Sequence, residues 1–300
     1  MDTPYPIPQV FDYKAQQKFH NRASRKIAHV YPILQHAASL LIERLDDITR
    51  PFNLALDIGG RGVVAPLLVE RKITPITIDC SIDMLNKQAG LKLCSENELL
   101  PFAPASFDLV IASLSLHQVN DIPGLFKQIR HILKPDGLFL ASLPVLPSFS
   151  ELRECLMQAE ETLCGRISPR IIPFPNLQAC AGLLQRAGFT LPVVDSEIIN
   201  LSYRNPLSIL RDLQQAGESN ALTQRSKLIP PKGLFPLALS LFADRYGKND
   251  PVPLQLHIAC LSAWSPAPTQ PQPLTRGEFT TSFEDLIASL PDPPSESSSS

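Results

Sequence analysis

The sequence lacks paired cysteines and an excess of either charge. Its six cysteines lie far apart without a C-x-x-C pair, which argues against a structural zinc site or a disulfide framework. The 27 Lys and Arg nearly cancel the 29 Asp and Glu, so no strong positive field exists to attract nucleic acid. We therefore expect free thiols in a reducing compartment, no metal site and no nucleic-acid partner.

Long apolar runs are also missing. The longest, near LFLASLPVLP and LFPLALSLFA, are too short and too interrupted by proline to cross a bilayer. The first residues, MDTPYPIPQVFDYK, do not form the charged and apolar regions of a signal peptide. These patterns predict a soluble, cytoplasmic protein without a transmembrane segment.

Proline, in contrast, is abundant, with 30 residues. The segments SPAPTQPQP and PDPPSESSSS cannot pack a core, and they predict a Pro/Ser-rich disordered tail over residues 265–300. Between them, FTTSFEDLIASL is predicted to form a short amphipathic helix that docks on a partner.

The order of the remaining elements indicates an α/β fold. Two helices are predicted in residues 1–49. In residues 50–145 the buried strands NLALDIG, TPITIDCS, FDLVIASLSL and LFLASLP alternate with helices, one of which is IDMLNKQAG. This alternation predicts a doubly wound, mostly parallel sheet. Residues 146–264 are expected to complete the sheet and add a helical cover, with LPVVDSEIINLSY as a strand pair.

In such a sheet, ligands bind beyond the carboxyl ends of the strands. The first strand ends at Asp57, which Gly59, Gly60 and Gly62 follow. Glycines let the backbone approach a ligand closely, but they serve a tight strand-to-helix turn equally well. The glycines alone leave both interpretations open.

The second strand ends at Asp79, and Met84 follows in the next helix. A carboxylate at this position can accept hydrogen bonds from both hydroxyls of a ribose, or it can cap the helix, a task open also to Ser81 and Asp83. Met84 is placed either against a flat base or in the core.

The third group of candidates lies in SENELLPFAPASFDLVIASLSLHQVND. Glu96 precedes a Leu-Pro-Phe turn, whereas Ser113, Ser115 and His117 come where the apolar strand ends, on the expected ligand side. A lone histidine is more often structural than catalytic, and we assign no catalytic residue. The histidines are scattered and form no recognisable iron triad.

Together these segments resemble the class I S-adenosylmethionine-dependent methyltransferases, most specifically in DCSIDML, LLPF–SFDLVIASLSLH and LKPDGLF. The resemblance implies S-adenosylmethionine as cofactor. It places Asp57 and the glycines near the methionine moiety, Asp79 on the ribose and Glu96 near the adenine amino group. Met84 and Ser113 complete the predicted cofactor site.

Further segments, including FDYKAQQKFHNRAS, SELRECLMQAE, ISPRIIPF and DLQQAGESNA, are similar to the mitochondrial complex I assembly factor 5 group and its bacterial relatives. That resemblance implies a role in assembling the respiratory NADH dehydrogenase. It also implies a protein partner, the iron–sulfur subunit beside the quinone site, where an arginine is hydroxylated. The expected location is the bacterial cytoplasm or the mitochondrial matrix side.

The chain departs from this group in DIGGRG, which has one residue fewer than D-L-G-C-G-x-G. Three hypotheses follow. The protein is an assembly factor that modifies a partner arginine, a small-molecule or carrier-protein O-methyltransferase of the biotin-pathway type, or a non-catalytic scaffold with a decayed cofactor loop. A carboxylate acceptor needs no general base, so the missing base is compatible with the second.

Overall fold

The computed structural model describes residues 8–96, 98–247 and 251–271. Two compact units divide the chain, Met1–Pro266 and Ala267–Ser300. In the second unit, the backbone N–H of Gln270 donates to the carbonyl of Ala267. The tail from residue 272, with the predicted docking helix, lies outside the described residues.

The first unit is built around a seven-stranded sheet of order β3-β2-β1-β4-β5-β7-β6. Strands β1 to β5 are parallel to one another. Strand β7 pairs antiparallel with β5, and the edge strand β6 pairs antiparallel with β7. The doubly wound, mostly parallel α/β fold is confirmed. The elements are α1 (Tyr13–Ala23), α2 (Tyr31–Ile42), β1 (Leu54–Ile58), α3 (Val64–Glu70), β2 (Thr74–Asp79), α4 (Ile82–Leu85), β3 (Leu91–Cys94), β4 (Phe107–Ser113), α5 (Ile122–Ile132), β5 (Leu133–Pro144), α6 (Ser150–Cys164), α7 (Leu177–Arg186), β6 (Thr190–Tyr203), α8 (Leu207–Ala216), α9 (Leu234–Tyr246) and β7 (Val252–Trp264).

Hydrophobic layers cover both faces of the sheet. Strand β4 is buried along its whole length. Its Leu109 and Ile111 join one core cluster, and Val110 and Ala112 join the other. Because successive side chains of a strand point to opposite faces, an unbroken apolar run belongs in the middle of a sheet covered on both sides. The carboxyl end of β4 therefore lies at the middle of the sheet edge where the parallel strands end, the edge at which ligands bind in such sheets.

Two predicted elements differ in the structure. Helix α4 ends at Leu85 instead of extending to Gly90, because the chain turns there and Gly90, at φ +87°, leads directly into β3. The expected strand pair at LPVVDSEIINLSY is the single strand β6, which pairs with β7 from Thr190 to Tyr203. Its polar centre makes no turn, since an edge strand can expose polar side chains.

Within the described residues, no helix is long and apolar enough to span a membrane.

Candidate functional site

The carboxyl ends of β1, β2 and β4 meet at one edge of the sheet. Strand β1 lies between β2 and β4 and is parallel to both. The sheet therefore brings together Asp57, Asp79 and Ser113, although they are far apart in the chain. The Ser113 hydroxyl lies 3.5 Å from that of Ser142 on β5.

The Asp57 carboxylate is fully buried. Its Oδ2 lies 3.4 Å from the Thr77 hydroxyl, whereas its Oδ1 has no hydrogen-bond partner among the described residues. Burial, followed by the charge of Asp79, raises the pKa of Asp57 to about 7, against the lowering effect of hydrogen bonds from Thr77 and the Gly60 backbone. A cation or a hydrogen-bond donor placed at Oδ1 would stabilise the charged form of this carboxylate.

The short loop after β1 turns sharply with three left-handed residues, Gly59 (φ +65°), Arg61 (φ +52°) and Gly62 (φ +88°). Gly60 is required for another reason, since a Cβ atom there would overlap the Asp57 carboxylate. The turn and the close approach explain the glycines without a ligand. They also show that the shortened loop folds.

The loop directs the Arg61 side chain inward, where it is 3% exposed. Its Nη2 donates to the Leu114 carbonyl at 3.0 Å and to Glu218 Oε1 at 2.5 Å. Glu218 Oε2 lies 2.7 Å from His117 Nε2 and accepts from Gln118 Nε2 at 2.7 Å. We call Arg61, His117, Gln118 and Glu218 the Glu218 cluster.

Electrostatics hold the Glu218 carboxylate in its charged form. Burial opposes this, but the electrostatic influence of His117 and Arg61, with the hydrogen bond to His117, outweighs it and lowers the pKa of Glu218 well below its usual range. The cluster therefore ties the loop after β1 to the segment that follows α8.

Asp79 lies beneath helix α1. Its Oδ1 accepts from the Ser81 backbone N–H at 2.8 Å and lies 3.6 Å from His20 Nδ1, while Oδ2 has no partner among the described residues. The helix cap of α4 is Ser81, whose hydroxyl accepts from the Met84 N–H. The start of α4 therefore does not need Asp79 as its N-cap. A capping role for Asp79 was the alternative that the sequence left open.

Helix α1 is held over this edge by hydrogen bonds from polar side chains. Gln17 Nε2 donates to the Cys80 carbonyl at 3.0 Å, and the Ser81 hydroxyl donates to Asn21 at 2.5 Å. Tyr13 lies on the same helix, where burial, followed by the electrostatic influence of neighbours that include Cys80 and Glu96, raises its pKa to about 12. The helix was predicted, but its contacts with β2 were not.

The other predicted residues take different environments. Met84 is buried in a core cluster, as its alternative interpretation held, while Glu96 is exposed beyond β3. Their contacts with cofactor remain predictions. His20, Asp79 and Cys80 lie close enough to share a metal ion; burial, followed by the charge of Asp79, raises the pKa of the Cys80 thiol.

A largely apolar cavity of about 140 Å³ adjoins the predicted cofactor edge. Arg61, Leu114 and His117 line it from the strand ends, and Glu218 lines it from the segment after α8. None of the predicted cofactor-binding residues belongs to its walls. The cavity is therefore a separate space from the predicted cofactor site.

Comparison with known proteins places this geometry in a family. A family model described as a methyltransferase domain matches residues 33–193. The chain belongs to the methyltransferase-domain family. The chain is 33% identical to the mitochondrial arginine-hydroxylase NDUFAF5 of Danio rerio, and the alignment covers 92% of this chain and 89% of that relative.

Two further comparisons extend the result. The malonyl-[acyl-carrier protein] O-methyltransferase of Xylella fastidiosa is 29% identical, with 85% of this chain and 89% of the relative covered. The crystal structure of the YcgJ protein from Bacillus subtilis superposes with a TM-score of 0.54 at 16% identity and covers 77% of this chain and 99% of its own. The last comparison supports the fold alone.

Proposed function

We propose that this methyltransferase-family protein binds S-adenosylmethionine and serves as an assembly factor for the respiratory NADH dehydrogenase, where it modifies an arginine of a partner subunit. The iron–sulfur subunit is the proposed partner, and the bacterial cytoplasm or the mitochondrial matrix side is the proposed location. The observation that supports this most strongly is the similarity to arginine-hydroxylase NDUFAF5 across 92% of the chain.

The buried carboxylates support the proposed cofactor. Asp57 Oδ1 and Asp79 Oδ2 are buried without hydrogen-bond partners among the described residues. Such atoms carry an energetic cost unless a ligand satisfies them. When bound, S-adenosylmethionine supplies an electrophilic methyl group on a sulfonium centre. In this proposal Asp79 accepts from the ribose hydroxyls, and Asp57 with Gly59, Gly60 and Gly62 receives the amino-acid part.

Calorimetry with the purified full chain tests the cofactor. S-adenosylmethionine is expected to give saturable heat, which Asp79→Ala abolishes because the ribose hydroxyls lose their acceptor. Asp244→Asn, on an exposed part of α9, removes the same charge away from the edge and should bind normally. No heat and no thermal shift at millimolar cofactor would contradict the proposal and favour the scaffold hypothesis, in which the shortened loop no longer binds cofactor.

Mass spectrometry of the quinone-side iron–sulfur subunit tests the proposed target. In a strain lacking the gene, the arginine of this subunit is expected to be unmodified, and the wild-type gene should restore the modification. A gene encoding Asp79→Ala should fail to restore it, whereas Asp244→Asn should succeed. An arginine modified to the same extent with and without the gene would contradict the assembly role.

The alternative is a carrier-protein O-methyltransferase of the biotin-pathway type. It is favoured by the similarity to the Xylella fastidiosa enzyme over 85% of this chain. In such a reaction, holding the acceptor in line with the methyl group accounts for much of the rate enhancement. An arginine modified to the same extent as in the wild type, together with a biotin requirement in the deletion strain, would support this alternative.

A further inference from the structure

Among the described residues, the walls of the cavity beside the strand ends contain one carboxylate that the Glu218 cluster does not use. Asp212 of α8 and Tyr203 of β6 both line the cavity. We propose that Asp212 is a specificity-determining residue that receives the guanidinium group of the substrate arginine. This inference rests on the proposed function for the identity of the substrate side chain.

The charges around the cavity leave Asp212 available. Both arginines that line the cavity already have carboxylate partners: Arg61 pairs with Glu218, and Arg170 pairs with Glu160 through Nη2–Oε1 (2.6 Å) and Nε–Oε2 (3.1 Å). In the part of the chain that the structure describes, no basic side chain forms an ion pair with Asp212. A cationic ligand would complete the balance of charge.

Tyr203 marks the electrostatic character of this corner. Burial, followed by the charge of Asp212 and a hydrogen bond to it, raises the pKa of the Tyr203 hydroxyl. The hydroxyl therefore stays protonated and can donate to the carboxylate. One donor leaves much of the accepting capacity of a carboxylate unused, and a planar guanidinium can satisfy it with two parallel N–H groups.

The aromatic walls suit the same group. Phe149 and Phe174 line the cavity with ring centroids 6.2 Å apart. Phe149 adopts a left-handed conformation, φ +57°, at the start of α6. A bulky residue rarely takes this conformation unless its surroundings hold it there. Guanidinium planes stack on aromatic faces more readily than ammonium groups do, which favours arginine over lysine.

The rest of the lining fits an arginine side chain that reaches the cofactor edge. Ile209 and Leu213, on the same helix as Asp212, offer apolar contacts to the methylene groups of the arginine. Leu114 and His117 line the cavity from the carboxyl end of β4. A side chain held by Asp212 therefore occupies a space that adjoins the edge proposed to bind cofactor.

The test is a binding titration of the full-length protein with N-acetyl-arginine amide and its uncharged near-isostere, N-acetyl-citrulline amide. The wild type should prefer the arginine compound by about tenfold or more, the scale of a hydrogen-bonded ion pair. Asp212→Asn should lose this preference, Asp212→Glu should retain part of it, and Asp244→Asn should leave it unchanged.

An equal affinity of the wild type for the two compounds, or a full preference in Asp212→Asn, would overturn the inference. Circular dichroism establishes whether each variant folds. If Asp212→Asn does not fold, Asp212→Glu decides: a reduced preference supports the inference, and a full preference overturns it. Calorimetry with S-adenosylmethionine on the same samples separates the two proposals. Cofactor binding without an arginine preference refutes the role of Asp212 alone, and an arginine preference without cofactor binding refutes the proposed cofactor alone.

Discussion

At the scale of single residues, Glu218 connects the members of the Glu218 cluster. It follows Gly217, whose left-handed conformation (φ +87°) ends α8, and its carboxylate accepts from Arg61 and Gln118 and lies against His117. Removal of one partner from a buried ion pair leaves the other charge without compensation. Glu218 therefore contributes to stability as well as to the shape of the cavity.

We expect Glu218→Gln to lower the free energy of unfolding at pH 7 by about 3 kcal/mol, because Arg61 would remain buried without its counter-charge. Because the pKa of Glu218 is lowered in the folded protein, its contribution to stability is complete above the usual glutamate pKa and is lost progressively as the pH falls from there through the lowered pKa. The deficit of the variant should therefore shrink in acid. Urea denaturation at several pH values measures it.

The control for this substitution is Glu197→Gln on the exposed edge strand β6, where the same change should cost little. A Glu218→Gln protein as stable as the wild type at pH 7 would show that the Glu218 cluster contributes nothing to folding.

At the scale of elements, the loop between β1 and α3 shapes the edge that is proposed to bind cofactor. It combines three left-handed residues with the close approach of Gly60 to Asp57. The sequence predicted that a residue was missing from this loop, but it could not predict the consequence, which is that the Arg61 side chain turns inward. The predicted end of helix α4 was wrong for a related reason. The helix ends at Leu85, and the turn that follows depends on where β3 begins.

We expect Gly60→Ala to destabilise the protein and to weaken the binding of S-adenosylmethionine, because the new methyl group would displace the Asp57 carboxylate. The matched control is Gly182→Ala in α7, where an added Cβ meets open space and should stabilise the helix by about 0.5–1 kcal/mol. Thermal melts with and without cofactor measure both variants. Equal melting temperatures for the two would contradict this account of the loop.

At the scale of the whole molecule, the sequence was most informative where contacts follow from the sheet. Asp57 and Asp79 could be assigned to one edge because parallel neighbouring strands bring their carboxyl ends together. Glu218 could not be assigned to that edge, since its partner Arg61 is 157 positions away along the chain and no periodicity reports such a pair. The sequence likewise gave no sign that Asp212 and Tyr203 share a cavity.

The position of the Glu218 cluster has a thermodynamic consequence. Arg61 belongs to the loop beside Asp57, yet its guanidinium and its partner Glu218 also form part of the cavity wall. A ligand that shifts this ion pair from one side changes the free energy of binding on the other. Such coupling is reciprocal, so an acceptor that strengthens cofactor binding by some factor must itself be bound more tightly by that same factor once the cofactor is present.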